Sequence, residues 1–302
     1  MIVKGTAGSG EAGMRLDEGA AMLFSDLSRS RIRKIIDLGG CSVNGVMCRV
    51  ASRALREGDL LALGVMEPGR FRELVWARED ILYEDEDVLA VRKPAGFSSQ
   101  RTPYQLKGTV EYAVGVYLKG RGIDGPVRIV HRLDRGTSGV MLFPKNRAVA
   151  AVLSDQLKGG RVDKVYLALV SGTPAEDRWL VDEPIAKVGT SRYGVARPGK
   201  EARTEFLMRA GGEGAALVEA RPLTGRTHQI RVHLAHCGFP IVGDSGYGGP
   251  AAPRLMLHCG SMAYRDREGK EVAVTAPPDS EFAAVCREFA INAFGVDGDV
   301  KF

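Results

Sequence analysis

The sequence predicts an α+β fold, in which a small α+β domain precedes a large, mostly antiparallel mixed sheet with flanking helices. Strand-like and helical stretches mix irregularly over most of the chain instead of alternating strictly, which favours this arrangement over a doubly wound parallel sheet. The first part of the chain instead shows two helical patterns followed by short strands. With 302 residues, the chain can bury one large core and one small core.

The small domain is predicted over residues 14–63. Apolar residues recur at helical spacing within 16–27, and Ser28 is a typical N-cap for a second helix with apolar positions within 32–36. Asn44-Gly45 predicts a hairpin, because Asn and Gly accept the positive φ angles of tight primed turns. These elements indicate two helices followed by short strands.

The segments on either side of the small domain are predicted to be irregular. Residues 1–13 are expected to form a flexible tail, and residues 64–80, which contain Pro68-Gly69, are expected to form a linker. GSGEAG at 8–13 matches the dinucleotide-binding pattern G-x-G-x-x-G, but little strand precedes it and no βαβ unit surrounds it. This context favours the tail over a nucleotide site.

The large domain is predicted over residues 81–302 and contains both periodicities. A hairpin is expected at 81–91, helices at 110–118 and 148–157, and further strands at 140–143, 165–170, 204–208 and 216–220.

The composition narrows the class of protein. Lys and Arg total 42 against 37 Asp and Glu, and the formal charge of +5 permits a polyanionic partner without requiring one. Five cysteines without tight pairs favour reduced thiols and a cytoplasmic location over a disulfide framework. No leader pattern and no apolar run near the roughly 20 residues of a membrane span are found, so neither secretion nor a membrane partner is expected.

Individual residues suggest two other kinds of site, a zinc site and a hydrolase triad. His228, His233 and His236 lie close together beside Cys237, but no zinc-binding pattern accompanies them, so packing or hydrogen-bonding roles are favoured and no metal is predicted. A hydrolase triad of Ser138, His228 and Asp134 can be written down, yet the nucleophile-elbow pattern G-x-S-x-G is absent around Ser138.

The stretch HRLDRGTSG at 131–139 places Asp134 between Arg132 and Arg135. Taken alone, it is typical of a structural ion pair in a turn, with hydroxyls for capping and glycines for the bend. Two further motifs accompany it, KVYLALVSG at 164–172 and TGRTHQIRVHLAHCGFPIVGDSGYG at 224–248.

Together these motifs resemble the RluA-type family of RNA pseudouridine synthases. The likeness extends to DEDVLAVRKPAGF at 85–97 and RLMLHCGSMAY at 254–264, and covers residues 81–278. Residues 14–63 resemble the small RNA-binding domain named after a ribosomal small-subunit protein, which commonly precedes this catalytic domain in enzymes that act on large-subunit ribosomal RNA. The resemblance implies the pseudouridine synthase fold and an RNA partner.

The resemblance also implies roles for individual residues. Asp134 matches the catalytic aspartate, Tyr166 the tyrosine that stacks on the target base, and Arg226 the basic residue that pairs with the aspartate. Arg132 matches an arginine that helps displace the target nucleotide. The remaining residues expected to bind substrate are His131 and Lys164 in the large domain and Arg29, Arg31, Arg33 and Lys34 in the small domain, where a merely solvated face is the alternative.

The implied reaction cuts the bond from ribose to uracil nitrogen 1 and rejoins the base through carbon 5. Because it is an isomerisation, no cofactor is expected. An ionised carboxylate can add to the anomeric carbon, add to uracil carbon 6, or abstract a ribose proton, and the sequence leaves these routes open. The target is expected to be large-subunit ribosomal RNA rather than transfer RNA. The protein is expected to be a monomer without a required protein partner. The alternatives are a non-catalytic RNA-binding or ribosome-assembly factor on the same scaffold and a transfer-RNA-directed pseudouridine synthase.

Overall fold

The computed structural model describes residues 2–37, 39–65, 73–101, 105, 107–189 and 192–293. The chain divides into two compact units. Unit 1 comprises residues 1–75 and 100–116, and unit 2 comprises residues 76–99 and 117–302. The grouping of 100–116 with unit 1 was not predicted, and residues 66–72 of the predicted linker lie outside the described residues.

Unit 1 contains the two helices and the short strands that the sequence predicts. Its elements are β1 (Ile2–Thr6), α1 (Leu16–Leu23), α2 (Arg29–Asp37), β2 (Cys41–Val43), β3 (Val46–Met47) and β4 (Leu60–Gly64). The strands form one antiparallel sheet in the order β1-β4-β2-β3. Asn44 and Gly45 have φ angles of +53° and +78°, as the predicted hairpin turn requires. Leu16, Ile32 and Leu61 are fully buried in the core of this unit.

The flexible tail predicted for residues 1–13 is wrong in its first half. Strand β1 pairs with β4 from Ile2↔Gly64 to Thr6↔Leu60, because the free edge of β4 supplies hydrogen-bond partners for its backbone. Val3 packs against the core. The pairing is antiparallel, so the glycine pattern at 8–13 does not follow a strand of a βαβ unit.

Unit 2 is built around a nine-stranded sheet. After a 3-10 turn at Arg78–Asp80, the remaining elements are β5 (Ile81–Glu84), β6 (Val88–Lys93), α3 (Val110–Gly120, which begins in unit 1), β7 (Ser138–Pro144), α4 (Arg147–Lys158), β8 (Asp163–Ser171), β9 (Arg178–Asp182), β10 (Ile185–Lys187), β11 (Tyr193–Val195), β12 (Arg203–Gly211), β13 (Ala215–Pro222), α5 (Gln229–His236), β14 (Leu257–Arg265), β15 (Glu271–Thr275) and α6 (Ser280–Glu288).

The large sheet has the order β5-β6-β7-β14-β8-β13-β12-β9, with β15 added beside β14, and β10 and β11 form a separate hairpin. Among the described strands, β7 and β14 pair in parallel and the other neighbours pair antiparallel. The predicted α+β class with a mostly antiparallel sheet is confirmed. No helix within the described part of the chain is long and apolar enough to cross a bilayer.

The contact between β7 and β14 explains one glycine of HRLDRGTSG. Gly139 has a φ of +114°, and a Cβ atom there would lie 2.1 Å from the carbonyl oxygen of Cys259. Both the backbone angle and the close approach therefore require glycine. This contact fixes the point at which the loop carrying Asp134 enters the sheet.

Candidate active site

A cavity of about 570 Å³ lies in unit 2, next to the loop before β7 and the start of α5. The residues that the sequence predicted for the site of the large domain all line this cavity. They are His131, Arg132, Asp134, Lys164, Tyr166 and Arg226. The structure therefore brings together residues that are up to about ninety positions apart in the chain.

A buried lysine tethers the loop that carries Asp134. Lys93, at the end of β6, donates hydrogen bonds to the carbonyl oxygens of Pro94 (3.1 Å), Arg135 (3.1 Å) and Thr137 (2.6 Å). Burial lowers the pKa of Lys93 to about 7, although the charge of Asp134 acts in the opposite direction. Three carbonyl acceptors match the three N–H donors of an ammonium group. The loop is thus fixed on the C-terminal side of Asp134.

The charged partner of Asp134 is Arg231 and not Arg226, so the predicted pairing is wrong. Nη1 of Arg231 donates to Oδ2 of Asp134 at 3.0 Å. Arg226 lies in the turn before α5, and its Nε donates instead to the carbonyl oxygen of Glu201 at 2.7 Å. The sequence motif TGRTHQIR contains both arginines, and only the position of α5 distinguishes them.

Arg231 remains charged in spite of its burial. Burial alone would lower its pKa, but hydrogen bonds and charges from Asp244 and Asp134 outweigh this effect and raise the pKa above its ordinary value. Nε and Nη2 of Arg231 contact the two carboxylate oxygens of Asp244 at 2.7 and 2.8 Å. Sequence analysis assigned no role to Asp244, although it lies in the quoted motif.

His228 is a second group beside Asp134, with Nε2 at 3.7 Å from Oδ2. Its Nδ1 lies 2.8 Å from the hydroxyl oxygen of Tyr247, and that oxygen accepts the Tyr193 N–H at 3.3 Å. This contact holds the imidazole ring of His228 in place beside the carboxylate. Burial lowers the pKa of His228, and this favours the neutral ring. A neutral imidazole ring thus lies near the carboxylate.

Tyr166 on β8 lies opposite Ala220 of β13 and Cys259 of β14. It lines the cavity, whereas the next residue, Leu167, projects from the other face of the sheet because successive side chains alternate. Burial raises the pKa of Tyr166 well above its ordinary value, so the phenol stays neutral at physiological pH. An aromatic ring beside a carboxylate can stack on a planar base.

The other predicted binding residues differ in availability. Nε2 of His131 accepts the Leu142 N–H at 2.9 Å, and burial, assisted by the charge of Lys164, lowers the pKa of His131 to about 4. His131 is therefore a neutral group that braces β7. Burial also lowers the pKa of Lys164. Arg132 is exposed at the cavity.

The basic residues predicted on α2 are not equivalent. Arg29 contacts Asp17 at 3.0 Å and Glu18 at 2.8 Å, so its charge is already neutralised within unit 1. Arg33 and Lys34 are exposed on the same helix, and Arg31 is half-buried. The prediction of a phosphate-contacting face therefore applies best to Arg33 and Lys34.

The hydrolase arrangement considered from the sequence is not formed. Ser138 is buried, and its hydroxyl lies 2.8 Å from Nδ1 of His258, whose Nε2 contacts the carbonyl oxygen of Ala276 at 2.8 Å. Arg254 also donates to this hydroxyl at 3.1 Å. Ser138 is therefore a structural group beside β14, with a histidine other than His228.

Two of the histidines considered for zinc, His228 and His233, have other partners. Nδ1 of His233 contacts Thr204 at 2.9 Å and Nε2 contacts the carbonyl oxygen of Glu183 at 3.0 Å. Both ring nitrogens of His233 are thus occupied. In the regions that the structure describes, no group of three or more His, Cys, Asp and Glu side chains is placed to hold a metal ion.

Comparisons with known proteins identify the family. The family profile described as RNA pseudouridylate synthase matches residues 87–236. An RNA pseudouridine synthase of Aquifex aeolicus is 40% identical over 78% of this chain and 77% of its own length. The ribosomal large subunit pseudouridine synthase D of Yersinia pestis is 35% identical over 82% of this chain and 77% of its own length.

Solved structures show the same fold. The human RNA pseudouridylate synthase domain containing 4 superimposes with a TM-score of 0.60 at 23% identity, covering 70% of this chain and 92% of that one. The similarity of the fold to these structures is consistent with the family that the sequence comparisons identify. The chain therefore belongs to the RluA-type family of RNA pseudouridine synthases and is an isomerase.

Proposed function

We propose that this enzyme isomerises uridine to pseudouridine in large-subunit ribosomal RNA, with the carboxylate of Asp134 as the catalytic group. The observation that carries the proposal is the contact between Asp134 and Arg231 at 3.0 Å on the wall of a cavity that Tyr166 also lines. The cavity can admit a single base, and a base in a dry pocket is the substrate state that this chemistry needs.

The contacts around Asp134 suit a carboxylate that must act while ionised. Arg231 supplies a permanent positive charge, and the imidazole ring of His228 lies 3.7 Å from the same carboxylate oxygen. Each of the routes considered for this reaction starts from the charged carboxylate. Because substrate and product are isomers, the reaction balances without an oxidant or a transferred group.

The target uridine must leave a stacked helix before it can reach Asp134. Extrusion of a base costs a few kcal/mol. Stacking on Tyr166 would return about 1–3 kcal/mol, and insertion of the exposed Arg132 into the vacated space would offset more. These two residues are therefore assigned to base capture, while Arg33 and Lys34 are assigned to phosphate contacts.

The choice of RNA rests on relatives. Large-subunit RNA is favoured because a relative that matches 82% of this chain is named for the large ribosomal subunit. The cysteines of this chain are all unpaired, which fits the reducing cytosol where such RNA is found. We further propose that the protein acts as a monomer.

The test uses separated large-subunit RNA and transfer RNA from cells that lack the gene. Pseudouridine is mapped by carbodiimide derivatisation after incubation with wild type, Asp134→Asn, or Asp177→Asn as a matched control on an exposed residue outside the cavity. We expect wild type and Asp177→Asn to modify the ribosomal RNA and Asp134→Asn to bind it without product.

Other results would replace the proposal. Modification of the transfer RNA fraction alone would indicate a transfer-RNA-directed synthase. Binding without any product in wild type would indicate a non-catalytic RNA-binding factor, and equal product from Asp134→Asn would remove Asp134 from the catalytic role.

A further inference from the structure

We propose that Asp244 is a positioning residue, which holds Arg231 so that one guanidinium nitrogen is presented to Asp134. This inference rests on the proposed function of Asp134. Asp244 contacts Nε and Nη2 of Arg231 at 2.7 and 2.8 Å, and the remaining nitrogen, Nη1, contacts Asp134 at 3.0 Å. A planar guanidinium that is bound along one edge can turn only with difficulty, so the direction of Nη1 is set by Asp244.

The loop at 243–249 is built to hold Asp244 still. The Asp244 side chain is 2% exposed, and its backbone carbonyl accepts the N–H groups of Tyr247 at 3.1 Å and Gly249 at 2.9 Å. Gly243 has a φ of +81°, and a Cβ atom there would lie 1.8 Å from the carbonyl oxygen of Arg254. The turn is therefore restricted to glycine at this position, and the carboxylate is fixed by its backbone.

Tyr247, from the same loop, contacts the face of the guanidinium. The Arg231 guanidinium carbon lies 4.8 Å from the centre of the Tyr247 ring, which is a favourable cation–π distance. Asp244 thus binds the edge of Arg231 while Tyr247 covers its face. The same tyrosine hydroxyl binds His228, so one loop orients both groups that approach Asp134.

Asp244 and Asp134 differ in burial and in the number of hydrogen bonds that they accept from Arg231. Asp244 is 2% exposed and takes two hydrogen bonds from Arg231, whereas Asp134 is 29% exposed and takes one. Both contacts of Asp134, with Arg231 and with His228, involve Oδ2, and no group in the described part of the chain donates a hydrogen bond to Oδ1. Asp134 is therefore oriented by one oxygen while the other is available for chemistry.

The test is a double-mutant cycle of Asp244→Asn and Arg231→Ala in the full chain, with release of the uracil carbon 5 hydrogen from labelled RNA as the assay. Asn keeps the size of Asp244 but loses its charge and one acceptor. We expect kcat to fall about 30- to 100-fold in Asp244→Asn because a small displacement of a catalytic contact costs this much, while KM stays within about threefold. In the Arg231→Ala background, Asp244→Asn should change kcat by less than about threefold, because its effect acts through Arg231.

Glu219→Gln is the matched control. Glu219 is 1% exposed and binds two arginines, Arg209 and Arg221, away from the cavity. We expect its effect on kcat to be small and to multiply with that of Arg231→Ala. If Asp244→Asn does not fold, as judged by its thermal unfolding, the cycle is run with Asp244→Glu, which keeps the charge and should give an intermediate kcat.

Two outcomes would overturn the inference: a kcat for Asp244→Asn within threefold of wild type, or losses that multiply in the double variant. A second measurement separates this failure from failure of the proposed function. Hydrogen exchange of the Arg231 Nε–H, followed by NMR, should be faster by at least about tenfold in Asp244→Asn. Unchanged exchange would refute the positioning role even if wild type formed no pseudouridine.

Discussion

Two clusters of carboxylates and arginines lie on opposite faces of the large sheet. One cluster has two carboxylates for one arginine, and the other has two arginines for one carboxylate. In the cluster at the cavity, one arginine, Arg231, is shared by Asp134 and Asp244. In the cluster on the other face, one carboxylate, Glu219, is shared by Arg209 and Arg221. The pairing of β8 and β13 separates them, because Tyr166 lies opposite Ala220 and the alternate residue Glu219 projects away from the cavity.

The ratio of arginines to carboxylates determines whether a carboxylate oxygen is left without a hydrogen-bond donor. Where one arginine binds two carboxylates, the more buried Asp244 is satisfied and Asp134 retains an oxygen without a donor in the described part of the chain. Where two arginines bind one carboxylate, Glu219 is 1% exposed and both of its oxygens are occupied. The first arrangement leaves an oxygen for chemistry, whereas in the second the removal of either arginine would leave a buried charge incompletely paired.

The largest expected effect separates the two arginines of TGRTHQIR. Arg231→Lys should lower kcat/KM at least about 100-fold, because a lysine cannot bind Asp244 along one edge and Asp134 through a third nitrogen. Arg226→Lys should lower it less than about tenfold, since Arg226 contacts a backbone carbonyl and only lines the cavity. Rates of pseudouridine formation under single-turnover conditions measure both. A larger loss in Arg226→Lys would mean that the bound RNA recruits Arg226 and that the cluster at the cavity is incomplete.

Sequence reasoning found the stretch that carries Asp134 but not the contacts that Asp134 makes. Asp134 and Tyr166 were placed at one site through motif resemblance, and the cavity contains both. Arg226 was chosen over Arg231 because a motif gives order along the chain, whereas the choice depends on where α5 begins, at Gln229, after a residue with a φ of +57°. Neither burial nor a left-handed residue can be read from a short stretch of letters.

The fold was more predictable than the site, for a physical reason. Helical and strand periodicities are local, so α4, β7, β8, β12 and β13 follow from the spacing of apolar residues. Strand β1 was missed because its stability comes from a partner about sixty residues away, Leu60–Gly64, and not from its own pattern. Lys93 was overlooked for the same reason, since its three acceptors include the carbonyl oxygens of Arg135 and Thr137.

The next largest expected effect concerns Lys93, a buried basic residue that contacts carbonyl oxygens, in contrast to the arginines of the two clusters, which contact carboxylates. Lys93 is fully buried among carbonyl oxygens, and burial lowers its pKa to about 7, against about 10.4 in an unfolded chain. Between these values the unfolded state binds more protons, so the free energy of unfolding should rise with pH. We expect wild type to gain about 2 kcal/mol relative to Lys93→Met between about pH 7 and pH 9.5, in urea unfolding.

The comparison of wild type with Lys93→Met removes the titrations that the two proteins share. The full shift would give a larger gain, but three carbonyl acceptors favour the charged ammonium and reduce it. If the free energy of unfolding changes with pH in the same way in both proteins, Lys93 keeps its proton throughout this range. In that case three carbonyl oxygens would be enough to stabilise a buried positive charge without a carboxylate.

The smallest expected effect tests whether a buried carboxylate bound by two arginines also has a structural role in unit 1. Asp17 is fully buried and bound by Arg15 and Arg29, the same arrangement as Glu219, so Arg29 should stabilise the fold rather than contact RNA. Arg29→Ala should lower the free energy of unfolding by about 1 kcal/mol, since Arg29 is half exposed, and leave the salt dependence of RNA binding unchanged.

Arg33→Ala is the matched variant on the same helix. It should change the free energy of unfolding by less than about 0.5 kcal/mol. It should also reduce the slope of log K against log salt by about 1, because the exposed Arg33 can release a counterion from a phosphate. Binding titrations at several salt concentrations, together with urea unfolding, measure both variants. A reduced slope in Arg29→Ala with unchanged stability would show that a carboxylate between two arginines does not predict a structural role, and the contrast between Asp134 and Glu219 would then need another cause.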